Sequence, residues 1–274
     1  MGNLLLDQAS GIPGLSLQNL VEQLSIFFLS SIRIGAFLIS SPFFGAQSIP
    51  LQVRIITSIL LGFAFHSQFA SIQISNFDNL DLVRVVFAEI LIGLVVGLFV
   101  SILFASVALA GEKIATSGGL GFAAQVDPNS GGQTPVISNI LTLFLIVIFL
   151  SIDGHLALIR AIHFSYEILP MGISLDLRNA SKFGVDAAGA MFEIATVIML
   201  PIVILLLMTN FTVGVVTRSA PQLNLFSFGF PITLLVVFLG LYASATPLGY
   251  AMEELVEFSL SFVDQFFESI SNGQ

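Results

Sequence analysis

From Leu82 to Ala110 the chain runs LVRVVFAEILIGLVVGLFVSILFASVALA, 29 residues with Arg84 and Glu89 as the only charged side chains. A helix of that length reaches ~43 Å, against a bilayer hydrocarbon core of ~30 Å. Such a segment folds as a membrane-crossing or protein-enclosed helix and excludes an ordinary soluble domain. Composition agrees: 56% of the 274 residues are hydrophobic and 9% charged, with mean hydropathy +1.01, the profile of a membrane protein.

The next segment is equally restrictive. Gly111 to Pro135, GEKIATSGGLGFAAQVDPNSGGQTP, holds six glycines and two prolines in 25 residues, so a regular helix is expected to stop at Ala110. Its middle, Gly118 to Ala124, is nevertheless apolar. Solvated loops are polar, and irregular backbone at membrane depth persists only where protein buries it or it lines a cavity. The segment is therefore expected inside an assembly.

Further apolar stretches fall at about Leu24 to Ile39, Ile55 to Ile74, Val136 to Ile152, Ala187 to Val216 and Ile232 to Ala245, giving five to seven helical segments. Between the first two, SPFFGAQSIPLQVR breaks the helix, and Pro50 is placed to start the segment carrying Arg54. Arg33 lies inside the first apolar run, where it has to face protein or water or snorkel to an interface. Asp153-Gly154-His155 reads as a tight reversal or kink hinged on the glycine. The polar span Asp176 to Asp186 reads as a surface loop, Glu193 and Pro201 interrupt the next apolar run, and Val215 to Pro231 reads as a hairpin joining two long helices. In the tail, Leu248, Met252, Leu255, Val256, Phe262, Val263, Phe266 and Ile270 share one helical face and Glu253, Glu257, Asp264 and Glu268 the other; without a basic residue its expected mate is a partner protein rather than an anionic membrane surface. The basic residues divide evenly between alternate loops, so charge bias sets no orientation.

Within the third helix Glu89, Gly93, Gly97, Ser101 and Ala105 recur every four residues, a slowly winding stripe of small residues that lets another helix approach closely. Glu89 at its head is expected to make an interhelix hydrogen bond, with a proton or ion site as the alternative.

Several functions are excluded or disfavoured. Zero Cys removes disulfides, thiolate metal sites and a cysteine nucleophile. Net charge −9 disfavours nucleic acid as a partner. HExxH, GxSxG, P-loop and CxxC patterns are absent, so neither an enzyme nor a cofactor is expected. His66, His155 and His163 read as structural rather than metal-binding residues. The first residues, MGNLLLDQASGIPG, lack the basic region of a cleavable signal peptide.

SPFFGxxxIPxxVR (Ser41 to Arg54), AEILIGLVVG (Ala88 to Gly97), GLGFAAQVDPNSGGQTP (Gly119 to Pro135), DGHL (Asp153 to Leu156) and TRSAPQLNLFSFGFP (Thr217 to Pro231) occur in this order along the chain. Together they resemble the FliR family of flagellar type III export-gate subunits, related to injectisome subunits. The resemblance implies an all-α, membrane-associated protein of long broken helical hairpins. A FliP-like part, residues 1–180, would precede a FliQ-like part, residues 181–274. It implies a place in a helical export-gate assembly in the bacterial inner membrane, at the flagellar basal body. The partners would be FliP-like and FliQ-like subunits, a FlhB-like subunit and the unfolded flagellar proteins being exported. The family's plug loop, which helps close the channel, falls on Gly111 to Phe122, with Ser117, Gly118, Gly119 and Gly121 supplying close packing and Leu120 and Phe122 apolar bulk. The DGHL position in the family more often carries Asn than Asp. The competing reading is a secondary transporter for a small solute, resting on the Pro/Gly-broken segments in the two halves.

Overall fold

The computed structural model describes residues 17–46, 49–65, 79–120, 136–171, 175–220 and 228–271. Among them lie eight α-helices and no strand: α1 (Leu17–Ser40), α2 (Leu51–Phe65), α3 (Asn79–Ser117), α4 (Val136–Ser151), α5 (Gly154–Ile168), α6 (Leu177–Ser219), α7 (Phe230–Ala243) and α8 (Ala245–Ser271). Three helices are long and apolar enough to cross a membrane, or up to five spans exist if each bent helix pair counts as one. The all-α membrane-protein expectation holds.

Two compact units form. The first comprises residues 1–101, 156–183 and 262–274; the second comprises residues 102–155 and 184–261. In the first unit Ile26, Leu29, Val85, Tyr166 and Met171 make one buried cluster, and Phe99 meets Phe262 and Phe266 edge-on at 5.8 and 5.0 Å. Helix α2 packs inside out. Its small residues Ser58 and Gly62 are buried, while Ile55, Ile56, Leu60 and Phe63 are exposed. A Cβ on Gly62 would strike Ser31 Oγ of α1, so the close approach depends on the glycine. The SPFFG turn is tied to this helix by Arg54, whose Nη2 donates to the carbonyls of Ala46 (2.6 Å) and Ile49 (2.9 Å). Pro50 precedes the first helical residue, and its carbonyl accepts from Val53 N–H, as expected for a helix start.

In the second unit, Phe104 and Phe149 pack edge-on at 5.4 Å among Leu103, Val107, Leu141 and Leu145, all buried. Helices α7 and α8 meet at a 63° bend. Helix α6 passes through Pro201 without stopping.

Four expectations are corrected. Helix α3 does not end at Ala110 but runs to Ser117, because only Gly111 among GEKIATS is a poor helix former. Residues 177–186 are helical, not a loop; the polar stretch is the exposed start of α6, opened by Asp176 Oδ1 accepting from Arg178 N–H at 2.9 Å. At the break between α4 and α5 the left-handed residue is Asp153 (φ 57°), while Gly154 starts α5 with its missing Cβ filled by the Phe149 ring. Finally, the apolar face of α8 is covered by this chain itself: all eight residues assigned to it are buried and the four acidic ones exposed. Residues 221–227 of the expected hairpin lie outside the described residues; α6 ends at Ser219 before them and α7 begins at Phe230 after them.

Candidate functional site

Four residues of the α3 stripe, Glu89, Gly93, Gly97 and Ser101, act within the first unit, and Ala105 beyond them is exposed. A Cβ on Gly93 would strike the Arg33 carbonyl and approach Ala36 Cβ to 2.9 Å; one on Gly97 would strike Ser40 Oγ. Ser101 Oγ donates to the Ser40 carbonyl at 2.6 Å. Small residues at these positions let α1 and α3 touch backbone to backbone. At the head of the stripe Glu89 meets Arg33, which sits one turn before Phe37 on α1.

That meeting is a closed cluster. Arg33 Nε donates to Glu89 Oε2 at 2.7 Å and Nη2 to Oε1 at 2.9 Å. Nη1 donates to Ser165 Oγ (3.0 Å) and Nη2 also to the Leu169 carbonyl (2.9 Å). The guanidinium carbon lies 4.0 Å over the Tyr166 ring, a cation–π arrangement. Tyr166 O–H in turn donates to the Ser30 carbonyl at 2.7 Å. Both charged side chains are fully sealed from solvent. A fork-to-fork pair with its remaining donors satisfied is the geometry in which a buried charge pair is tolerated. It leaves no open position for a substrate or ion. Sequence reading marked Arg33 and Glu89 separately and missed that they pair; their opposite charges, each isolated in an apolar run, were the available signal.

The described part of the plug segment lies in the second unit. Gly111 fits against α4, where a Cβ would come within 2.6 Å of Ser138 Cα, and Ser138 Oγ donates to the Ala108 carbonyl at 2.8 Å. At the end of α3, Gly119 is left-handed (φ 78°); its N–H donates to the Thr116 carbonyl (3.1 Å) and Leu120 N–H to the Ala115 carbonyl (3.0 Å). These are the paired bonds of a Schellman cap with Gly119 at its left-handed position. The Ser117 carbonyl accepts from Asn210 Nδ2 of α6 at 3.0 Å, and a Cβ on Gly118 would lie 2.6 Å from Val237 of α7. Thus Gly111 and Ser117 are helical, Gly118 and Gly119 terminate the helix, and Leu120 is the first residue after it. Gly121 and Phe122 lie outside the described residues. Asn210, missed in the sequence, carries no local pattern that would have marked it.

The chemistry offered by both places is packing and exclusion. Among the described residues no group of three or more His, Asp or Glu is placed to hold a metal ion; His163 packs against Phe65 with ring centroids 4.3 Å apart and planes tilted by 50°.

An all-helical protein with two apolar helices far longer than a bilayer is thick defines the class. Residues 24–259 match the family described as bacterial export proteins, family 1. The flagellar biosynthetic protein FliR of Escherichia coli K12 is 32% identical over 225 residues, covering 82% of this chain and 85% of the relative. FliR of Bacillus subtilis 168 is 30% identical over 233 residues, covering 81% and 87%; that of Buchnera aphidicola from Schizaphis graminum is 31% identical over 252 residues, covering 92% and 95%. The chain belongs to bacterial export protein family 1 and, within it, to the FliR family.

Proposed function

We propose that this chain is a core, non-enzymatic subunit of the flagellar type III secretion export gate in the bacterial inner membrane, at the basal body. In this reading it assembles with FliP-like and FliQ-like subunits and a FlhB-like subunit into the conduit for unfolded flagellar proteins, residues 1–180 standing as the FliP-like part and 181–274 as the FliQ-like part. The observation that carries the reading is helix α6. Its 43 residues reach ~64 Å, about twice the hydrocarbon thickness, yet only 22% of its most apolar window is buried. Phe192, Val197, Ile204, Met208, Phe211 and Val215 are all exposed along it. The exposed apolar residues from Phe192 to Val215 run ~35 Å and need a cover, which in this reading neighbouring export-gate subunits supply.

The Gly111–Phe122 segment is the plug in this reading. Leu120 and Phe122 seal the conduit by apolar contact, and the capped end of α3 is the fixed base from which the segment moves aside for substrate. Deleting Gly118 to Phe122 tests this: ion leakage through the assembled gate rises if the segment seals it, and unchanged conductance removes the plug role. Restoration of swimming in a strain lacking its own FliR tests the flagellar assignment. A solitary, stable monomer that binds a small solute would support a transporter instead.

A further inference from the structure

Within the second unit α6 and the bent pair α7 and α8 run side by side in opposite directions. Residues 190–198 of α6 border a cleft with residues 251–258 of α8, Ile202 faces Gly240, and residues 205–216 border a groove with Phe228 and Ile232. Each arm loses a helical backbone bond at a proline. Pro201 cannot donate to the Val197 carbonyl, and Pro247, in the first turn of α8, cannot donate to the Ala243 carbonyl. In the second arm the axis turns by 63° at this point, at Ser244, which alone separates α7 from α8.

The two interruptions stand at one level. Ile202, next to Pro201, is the residue that a Cβ on Gly240 would touch, at 3.5 Å. Gly240 is one turn before Ser244, whose N–H donates back to the Gly240 carbonyl at 2.9 Å. On the α8 side of this level the arms stand apart around the cleft of about 260 Å³, so interdigitated side chains do not fix the angle there. On the other side both arms are tied to the end of α3. Asn210 Nδ2 donates to the Ser117 carbonyl at 3.0 Å, and a Cβ on Gly118 would lie 2.6 Å from Val237 Cγ2.

We propose that Pro201 and residues 244–247 form a single joint, about which residues 202–219 and 230–243 tilt as one leaf that carries the end of α3 with it. Helices bend where a proline removes a backbone bond, and hinges sit at element ends. A break in one arm alone would be opposed by the unbroken arm beside it; with both arms yielding at one level, the hairpin bends without sliding one arm past the other. The α6 part of the leaf is about 27 Å long, so a tilt of about 10° moves its far end by about 5 Å. The same tilt displaces Asn210, about 12 Å from the joint, by about 2 Å. A hydrogen bond does not stretch that far, so the last turn of α3 follows the leaf or the bond to Ser117 breaks. The joint stands on the packing of this chain and is independent of the export-gate reading.

The chain has no cysteine, so pairs of introduced cysteines take spin labels selectively, and pulsed electron paramagnetic resonance on the purified full chain reads the distances between them. All label positions are exposed: V185C/F211C spans Pro201, L235C/E257C spans Ser244, and F211C/L235C lies within the leaf. Both spanning pairs are expected to give distance distributions about twofold wider than the pair within the leaf, as a hinge between rigid parts requires. P201A, which restores a donor to the Val197 carbonyl, is expected to narrow both spanning pairs, and N210A, which frees the leaf from α3, to widen both. Three equally wide distributions, or spanning pairs as narrow as the leaf pair, overturn the joint, and this comparison decides even where P201A fails to fold. Widths unchanged in a folded P201A chain, or narrowing of the α6 pair alone, overturn the single joint, and an N210A chain with unchanged widths overturns the link to α3. Each of these results leaves the export-gate reading standing.

Discussion

Arg33 and Glu89 close a two-pronged ion pair at 2.7 and 2.9 Å with neither side chain reaching solvent. The two residues stand 56 positions apart, on the two helices that the Gly93 and Gly97 contacts bring into register. Removing one partner leaves the other charge buried and alone, which costs about 3–5 kcal/mol, whereas an apolar pair of matching size is often neutral. R33M and E89L singly are therefore expected to unfold at much lower temperature in detergent. The R33M/E89L double variant is expected to recover most of the loss. A double variant no better than either single one would mean that the Ser165, Leu169 and Tyr166 contacts dominate.

The glycines of the chain fall into two kinds that substitution separates. Gly93→Ala drives a methyl into the Arg33 backbone, and Gly97→Ala into Ser40; each is expected to cost about 1–3 kcal/mol through overpacking. Gly189 and Gly214 of α6 have nothing within 4 Å of an added Cβ. Alanine there is expected to stabilise the isolated chain by up to about 1 kcal/mol. Thermal unfolding of the four variants side by side checks the division.

At the end of α3, Gly119→Ala forces a side chain into left-handed backbone (φ 78°) and is expected to cost about 1 kcal/mol. Asn210→Ala releases the Ser117 carbonyl at a cost of similar size. Both are expected to speed hydrogen exchange of the Gly118, Gly119 and Leu120 amides while leaving amides of the α3 midsection protected. Equal acceleration along the whole helix would indicate global destabilisation instead.

Asp153 holds φ 57° between α4 and α5, a region that Asn, Asp and Gly tolerate and β-branched residues do not. Asn at this position, the residue the FliR resemblance leads one to expect, keeps the backbone without the charge. D153N and D153G are expected to be near neutral in unfolding temperature, and D153V to lose about 1–2 kcal/mol.

Local pattern made some of this fold legible in the sequence. The two-sided character of residues 248–270 sorted eight buried from four exposed positions because a helix of that length has one phase. The apolar runs located the long helices for the same reason. The features that pattern missed were set by tertiary contact. Helix α3 outruns Gly111 because the residues that follow it are compatible with a helix, while the glycine itself is required by the close approach of Ser138. The polar stretch after Asp176 is helical because its residues, apart from Gly184, are compatible with a helix that α6 then continues. The apolar face of α8 needs no partner protein because this chain supplies its cover, a fact no periodicity contains. The Arg33–Glu89 pair was visible only as two misplaced charges; pairing them required knowing which helices adjoin.

Cover of the exposed apolar length of α6 by other subunits is the central requirement of the export-gate reading. Native mass spectrometry of the chain co-expressed with its FliP-like and FliQ-like subunits tests this most directly. The expected result is a complex of fixed stoichiometry containing all three, in which α6 amides and side chains from Phe192 to Val215 are protected from exchange and labelling relative to the chain expressed alone. A chain that remains monomeric beside those subunits, equally labelled along α6 in both preparations, would contradict it.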